Sequence, residues 1–259
     1  MNRNHWFCYL WHMQEETGVR LNKAISDTGF CSRREADKII EQGRVTINGT
    51  KAVLGQRVLP HDTVEVDGKQ ISAVQATVYI AFNKPRGITC TTETHIEDNI
   101  IDYINHPQRI FPVGRLDRAS EGLIFLTSDG NIVNKILRAG NNHEKEYVVS
   151  VNKNITPEFI EQMSNGIPIL DTVTAKCKVE KLGNTSFKII LTQGLNRQIR
   201  RMCSYLEFEV TRLRRIRIMN ITLDGIKTGE WRYFTEEELA EVNRLVATSV
   251  KTEEASLKK

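Results

Sequence analysis

The sequence predicts an α+β protein, with a small N-terminal module ahead of a larger domain built on a large, mainly antiparallel sheet. Three observations carry that prediction. Residues 19–72 read as two short helices followed by short strands, a unit of about 50 residues, small for a stand-alone domain. Strand-like runs recur from Val78 onward, and few long helices accompany them. At 259 residues the chain has room for one large domain or two of unequal size.

The elements follow in order. Leu21, Ala24 and Ile25 share one face of a short helix that stops near Gly29. Ser32-Arg33-Arg34-Glu35 is a capping box that opens a second helix, whose apolar stripe is Ala36, Ile39 and Ile40 and whose stop is Gly43. Val45-Thr46-Ile47 and Val64-Glu65-Val66 read as strands, with hairpin turns at Asn48-Gly49 and Asp67-Gly68. Residues 73–77 form a linker, which places the module at 18–72 and the larger domain at 78–247. That domain opens with a strand over Val78 to Phe82 and breaks at Asn83-Lys84-Pro85-Arg86-Gly87. Glu146 to Val151 is a strand, and Thr156-Pro157 caps a helix that Gly166 ends. Phe187 to Thr192 is a strand leading into a helix from about Arg197 to Leu206. Thr235, followed by three glutamates, caps the last helix.

Composition narrows the class. With 40% apolar and 26% charged residues the chain is of ordinary globular type. Its five cysteines are scattered, without the short spacing of a zinc site, so we expect free thiols in a reducing, cytoplasmic setting and no metal. Residues 1–17 read as a disordered arm, too short and polar for a signal peptide or membrane span, with translation expected to begin at Met13. Residues 248–259 read as a disordered polar tail.

Two features point to chemistry. Asp117, in Gly114-Arg115-Leu116-Asp117, sits in a polar loop between the apolar runs Ile110 to Val113 and Leu123 to Leu126, a placement that can present one nucleophile or base. Residues 197–217 hold seven arginines against two acids, an excess larger than the whole chain's net charge of +4. Guanidinium forks suit a nucleic-acid backbone.

The module resembles the S4 RNA-binding domain, in Val19-Arg20-Leu21-Asn22-Lys23, Cys31-Ser32-Arg33-Arg34-Glu35-Ala36, Gly43-Arg44-Val45 and Ile47-Asn48-Gly49. The resemblance assigns Arg20, Lys23, Arg33, Arg34 and Lys38 to RNA phosphates. Four further motifs, in order, resemble those of pseudouridine synthases: Asn83-Lys84-Pro85-Arg86-Gly87, Gly114-Arg115-Leu116-Asp117, Lys145-Glu146-Tyr147-Val148-Val149, and Leu191-Thr192-Gln193-Gly194-Leu195-Asn196-Arg197-Gln198-Ile199-Arg200-Arg201-Met202. An S4 module ahead of this domain, with Asn-Arg-Gln-Ile-Arg-Arg-Met in the last motif, resembles the ribosomal small-subunit synthase A group. Arg138-Ala139-Gly140-Asn141 and His143-Glu144-Lys145 lean to its branch acting on large-subunit rRNA.

The resemblance implies isomerisation of one uridine of 23S rRNA, by base extrusion, glycosidic cleavage and reattachment through C5. It implies Asp117 as the catalytic carboxylate, Tyr147 against the uracil ring and Arg200 paired with Asp117. Arg115 would fill the gap left by the extruded base, and Leu191 would line the pocket. Asn196, Arg197, Arg201, Arg214 and Arg215 are expected on RNA. No cofactor is expected, since both bonds are exchanged within one nucleotide. A monomer is expected, with tRNA as a further target and no membrane partner. Other readings stand beside this one: the same chemistry on another rRNA or tRNA uridine, or a non-catalytic RNA-binding or ribosome-assembly factor.

Overall fold

The computed structural model describes residues 18–71 and 76–249. The expected N-terminal arm, most of the linker and the tail beyond 249 lie outside these residues. The chain divides into two compact units between Thr77 and Val78.

In the first unit, β1 (Val19–Arg20) leads directly into α1 (Leu21–Asp27), and α2 (Arg33–Glu41) follows. The Ser32 hydroxyl accepts from Glu35 N at 3.2 Å while the Glu35 carboxylate accepts from Ser32 N at 2.8 Å. This reciprocal cap satisfies two otherwise orphaned amides. Ser32→Ala should therefore cost about 1 kcal/mol, read as a lower denaturant midpoint for this unit; an unchanged midpoint would show that the cap contributes nothing. Next come β2 (Val45–Ile47), β3 (Thr50–Lys51), β4 (Arg57–Val58), β5 (Val64–Val66) and β6 (Lys69–Gln70). A four-stranded sheet runs β3-β2-β5-β6, and β1 pairs with β4. Asn48 and Gly49 both adopt positive φ (51° and 78°), as the tight turn joining β2 and β3 requires. Leu21, Ile25, Ala36 and Ile40 from the helices close on Val45, Ile47, Val64 and Val66 from the sheet.

The second unit contains β7 (Tyr79–Lys84), α3 (Ile100–Ile104), β8 (Phe111–Val113), β9 (Glu121–Thr127) and α4 (Gly130–Leu137). It continues with β10 (Lys145–Val151), α5 (Pro157–Asn165), β11 (Pro168–Ile169), β12 (Thr172–Val173), β13 (Lys178–Gly183) and β14 (Ser186–Leu191). Last are α6 (Gln198–Tyr205), β15 (Val210–Ile218), β16 (Ile221–Thr222), β17 (Trp231–Tyr233) and α7 (Glu236–Val246). Nine strands form one sheet ordered β13-β14-β10-β15-β9-β7-β17, with β16 beside β15 and β8 beside β9. Its pairs are antiparallel except β9 with β15.

Both faces of this sheet are covered, which is why Ile80 to Phe82 in β7 and Leu123 to Leu126 in β9 are unbroken apolar runs. On one face Ile80, Phe82, Ile124 and Leu126 meet Ile100 of α3, with Phe159 of α5 and Met202 of α6 in the same core. On the other, Ala81, Leu123 and Phe125 share a core with Ile132 and Ile136 of α4 and Val242 of α7.

The first strand departs from expectation. It does not break at Asn83; Asn83 and Lys84 lie within it, 1% and 0% exposed. Asn83 Nδ2 donates to Ile226 O, and Lys84 Nζ donates to Pro85 O and Ile88 O, so backbone carbonyls receive the donors of both buried side chains, while Asn83 Oδ1 stays without a partner. The strand ends at Lys84, because Pro85 has no N–H to continue the ladder.

Candidate active site

Three loops converge on Asp117. The first is the turn between β8 and β9 that carries it. Gly114 opens this turn at φ 77°, and a Cβ there would meet Leu137 Cδ2 at 2.8 Å. Ser120 N closes it by donating to Asp117 O at 2.9 Å. The second is the segment after β7. Gly87 N donates to Arg118 O at 2.8 Å, and Arg118 Nε returns a bond to Gly87 O at 2.8 Å. Arg118 Nη2 also reaches Asp98 at 2.9 Å, and Leu116 N points to the buried Cys90 Sγ at 3.4 Å. The Asp117 turn is therefore fastened on both sides.

The third loop precedes α6. Gln198 Oε1 accepts from Leu195 N at 3.0 Å, and Gln198 N donates to Leu195 O at 3.2 Å. Arg197 takes a left-handed conformation (φ 50°), so the helix starts one residue later than predicted. That turn brings Arg197 Nη1 to 3.4 Å from Asp117 Oδ2, nearer than Arg200 Nε at 3.6 Å. Arg200 is anchored further by bonds to Val210 O and Ser120 Oγ, both 3.2 Å. Two guanidiniums thus offset one carboxylate that is one-third exposed.

Asp117 and Tyr147 stand where two clefts adjoin. The smaller, of about 90 Å³, is bordered by Leu191, Arg200 and Leu213. The larger, of about 520 Å³, is bordered by Cys90, Lys145, Asn196 and Arg215. Tyr147 and Leu191 face each other's strands across the β10–β14 pair and are 9% and 4% exposed. Arg115, Asn196, Arg197 and Arg201 are exposed, and Arg201 Nε donates to Asn196 O at 3.1 Å.

The arginine-rich segment differs from the expected open phosphate surface. Arg215 is 4% exposed, donates from Nε to Leu123 O at 2.6 Å, and lies 5.9 Å from the Tyr147 ring centre. Arg212 pairs with Glu121, and Arg217 pairs with both Glu144 and Glu146. Arg214 is half-buried. Those acids lie outside the segment, so a local charge count overstates its free charge. In the first unit Arg20, Arg33, Arg34 and Lys38 are exposed, while Lys23 pairs with Asp27. Among residues given no role beforehand, Arg118, Ser120 and Lys145 join the site; each lies in or beside a quoted motif.

A fastened loop carboxylate, two paired arginines and a buried tyrosine thus meet beside one cleft on an α+β sheet. Residues 78–205 match the RNA pseudouridylate synthase family, and residues 19–64 match the S4 domain. The chain belongs to the S4-containing RNA pseudouridine synthases, which are isomerases. It is 57% identical over 239 residues to the dual-specificity RNA pseudouridine synthase RluF of Salmonella typhi, covering 92% of this chain and 83% of that protein. It is 34% identical to ribosomal large subunit pseudouridine synthase B of Bacillus subtilis, covering 87% and 96% of the two chains. A crystal structure of a pseudouridylate synthase superposes with a TM-score of 0.64 at 26% identity, covering 87% of this chain and all of that one.

Proposed function

We infer that the chain isomerises a specific uridine of 23S rRNA to pseudouridine. Asp117 acts at the ribose C1′ region, Tyr147 stacks on the uracil, and Arg200 with Arg197 holds the carboxylate. The observation that carries this reading is the meeting of Asp117, both arginines and Tyr147 at one cleft. Extruding the uridine costs a few kcal/mol, and one aromatic stack returns about 1–3 kcal/mol. Tyr147 alone therefore barely offsets extrusion. Arg115, exposed beside Asp117, fills the vacated stack, and Asn196 and Arg201 line the approach. Arg20, Lys23, Arg33, Arg34 and Lys38 of the S4 unit contact phosphates, and the enzyme works as a cytoplasmic monomer. Among the described residues no helix is long and apolar enough to cross a membrane. The reaction breaks N1–C1′ and C5–H and forms C5–C1′ and N1–H, so the nucleotide's composition is unchanged.

A second RNA substrate is favoured by the name of the Salmonella typhi relative, which describes it as dual-specificity, and a tRNA loop is the candidate for it. Both readings are tested with purified protein and RNA tritiated at uridine C5. The expected result is release of close to one equivalent from 23S rRNA. Release from tRNA alone would move the main substrate there, and release from neither would overturn the reading.

A further inference from the structure

We propose that Lys145 and Arg215 form a buried cationic floor that stabilises the uracil ring as it departs from C1′ carrying negative charge. The proposal rests on the reading of Asp117 as the group that acts at the ribose, and it adds the residues that receive the leaving base.

Lys145 and Tyr147 are two residues apart on β10 and so share one face of the sheet. Arg215 is the cross-strand partner of Tyr147 on β15. All three border the larger cleft together with Asp117. Lys145 and Arg215 are 6% and 4% exposed, yet neither has a carboxylate within salt-bridge distance among the described residues. Lys145 Nζ donates to two carbonyls, His143 O and Thr192 O, both at 3.2 Å, which leaves one of its three hydrogens. Arg215 Nε donates to Leu123 O, and its buried Nη2 has no partner.

Burying a cation without an anion is costly, and chains keep such charges where function requires them. Here the cost is visible on Lys145, whose ammonium is pulled down to about 8 by burial and by the neighbouring Arg215. The one carboxylate bordering the cleft, Asp117, is already paired with Arg197 and Arg200. An anion formed during the reaction would complete the set. When N1–C1′ breaks, its electron pair leaves on uracil, and the charge spreads over N1, O2 and O4. Preorganised donors aimed at such developing charge act most strongly in a water-poor site. The charge is discharged when C5 attacks C1′ and the C5 proton is replaced by one on N1.

The test compares uridine with 5-fluorouridine at the position that the wild-type protein modifies. Single-turnover disappearance of the N-linked nucleoside is followed after nuclease digestion. Fluorine makes the uracil anion more stable, so it reduces the demand on the protein. Arg215→Met and Lys145→Met should lose about 10²–10³-fold on uridine and at least tenfold less on 5-fluorouridine, with RNA affinity held. Arg215→Lys should recover part of the loss. The two substrates are compared within one preparation, so a misfolded fraction cancels. Equal losses on both substrates would overturn the proposal. So would weakened RNA binding with a shallower salt dependence, which is the mark of a phosphate contact. Wild-type protein that modifies neither RNA would instead overturn the underlying assignment of function.

Discussion

Asp117→Asn is expected to abolish pseudouridine formation, with a loss on the order of 10⁴-fold or more, the range seen when a central catalytic group is removed. Asparagine keeps the size of the side chain but carries no charge and is a poor nucleophile and base. The turn should survive, because its fastenings are Gly87, Arg118, Ser120 and Cys90, none of which bonds the carboxylate. RNA affinity should hold or rise slightly. Arg197 and Arg200, which lie 3.4 and 3.6 Å from the carboxylate, would be freed toward phosphate. The measurements are single-turnover conversion and equilibrium binding on the same RNA. Activity within tenfold of wild type would remove Asp117 from the chemistry.

Gly122→Ala should be the most damaging single-methyl change. Gly122 lies in β9 at φ 105°, where β9 pairs in parallel with β15. A Cβ there would stand 2.2 Å from Arg215 O and 2.8 Å from Arg215 N, and a backbone on both sides cannot yield as a side-chain tip can. Either β9 separates from β15 or the ladder breaks at the centre of the sheet, beneath Arg215. The expected cost is about 3–5 kcal/mol, and at about 2–4 °C per kcal/mol for a unit of this size the melting temperature should fall by roughly 10 °C. Gly87→Ala is the control: φ is 90°, but nothing lies within 4 Å of its Cβ. It should cost only the conformational strain, about 1–2 kcal/mol. Equal melting temperatures for the two variants would contradict this steric account.

Local signals were the most legible part of the fold. Ser32 with Glu35, Thr156 ahead of Pro157, and Thr235 with Glu238 cap helices where the sequence places them, because a cap is decided within four residues. The end of β7 is not legible in sequence, because Asn83 and Lys84 look like loop residues. Their partners, Ile226 O and Ile88 O, become visible only once the chain has folded. The site shows the same division. The order of motifs brought Asp117, Tyr147 and Arg200 together from sequence. The left-handed turn at Arg197, which delivers a second guanidinium to Asp117, is set by the Leu195–Gln198 clamp. The fate of the arginine run depended on Glu121, Glu144 and Glu146, acids 71 to 91 residues away in the chain. A count of local charge could not find them. The inward turn of Arg215 follows from strand alternation once β15 is paired with β10.

Whether this chain makes pseudouridine at a defined rRNA uridine through Asp117 is decided by chemical mapping of pseudouridine across rRNA and tRNA, in a deletion strain complemented with wild-type or Asp117→Asn protein. A 23S rRNA position is expected to lose its pseudouridine on deletion, regain it with wild-type protein, and stay unmodified with the variant. Restoration by Asp117→Asn, or an rRNA and tRNA map unchanged by the deletion, would contradict this expectation.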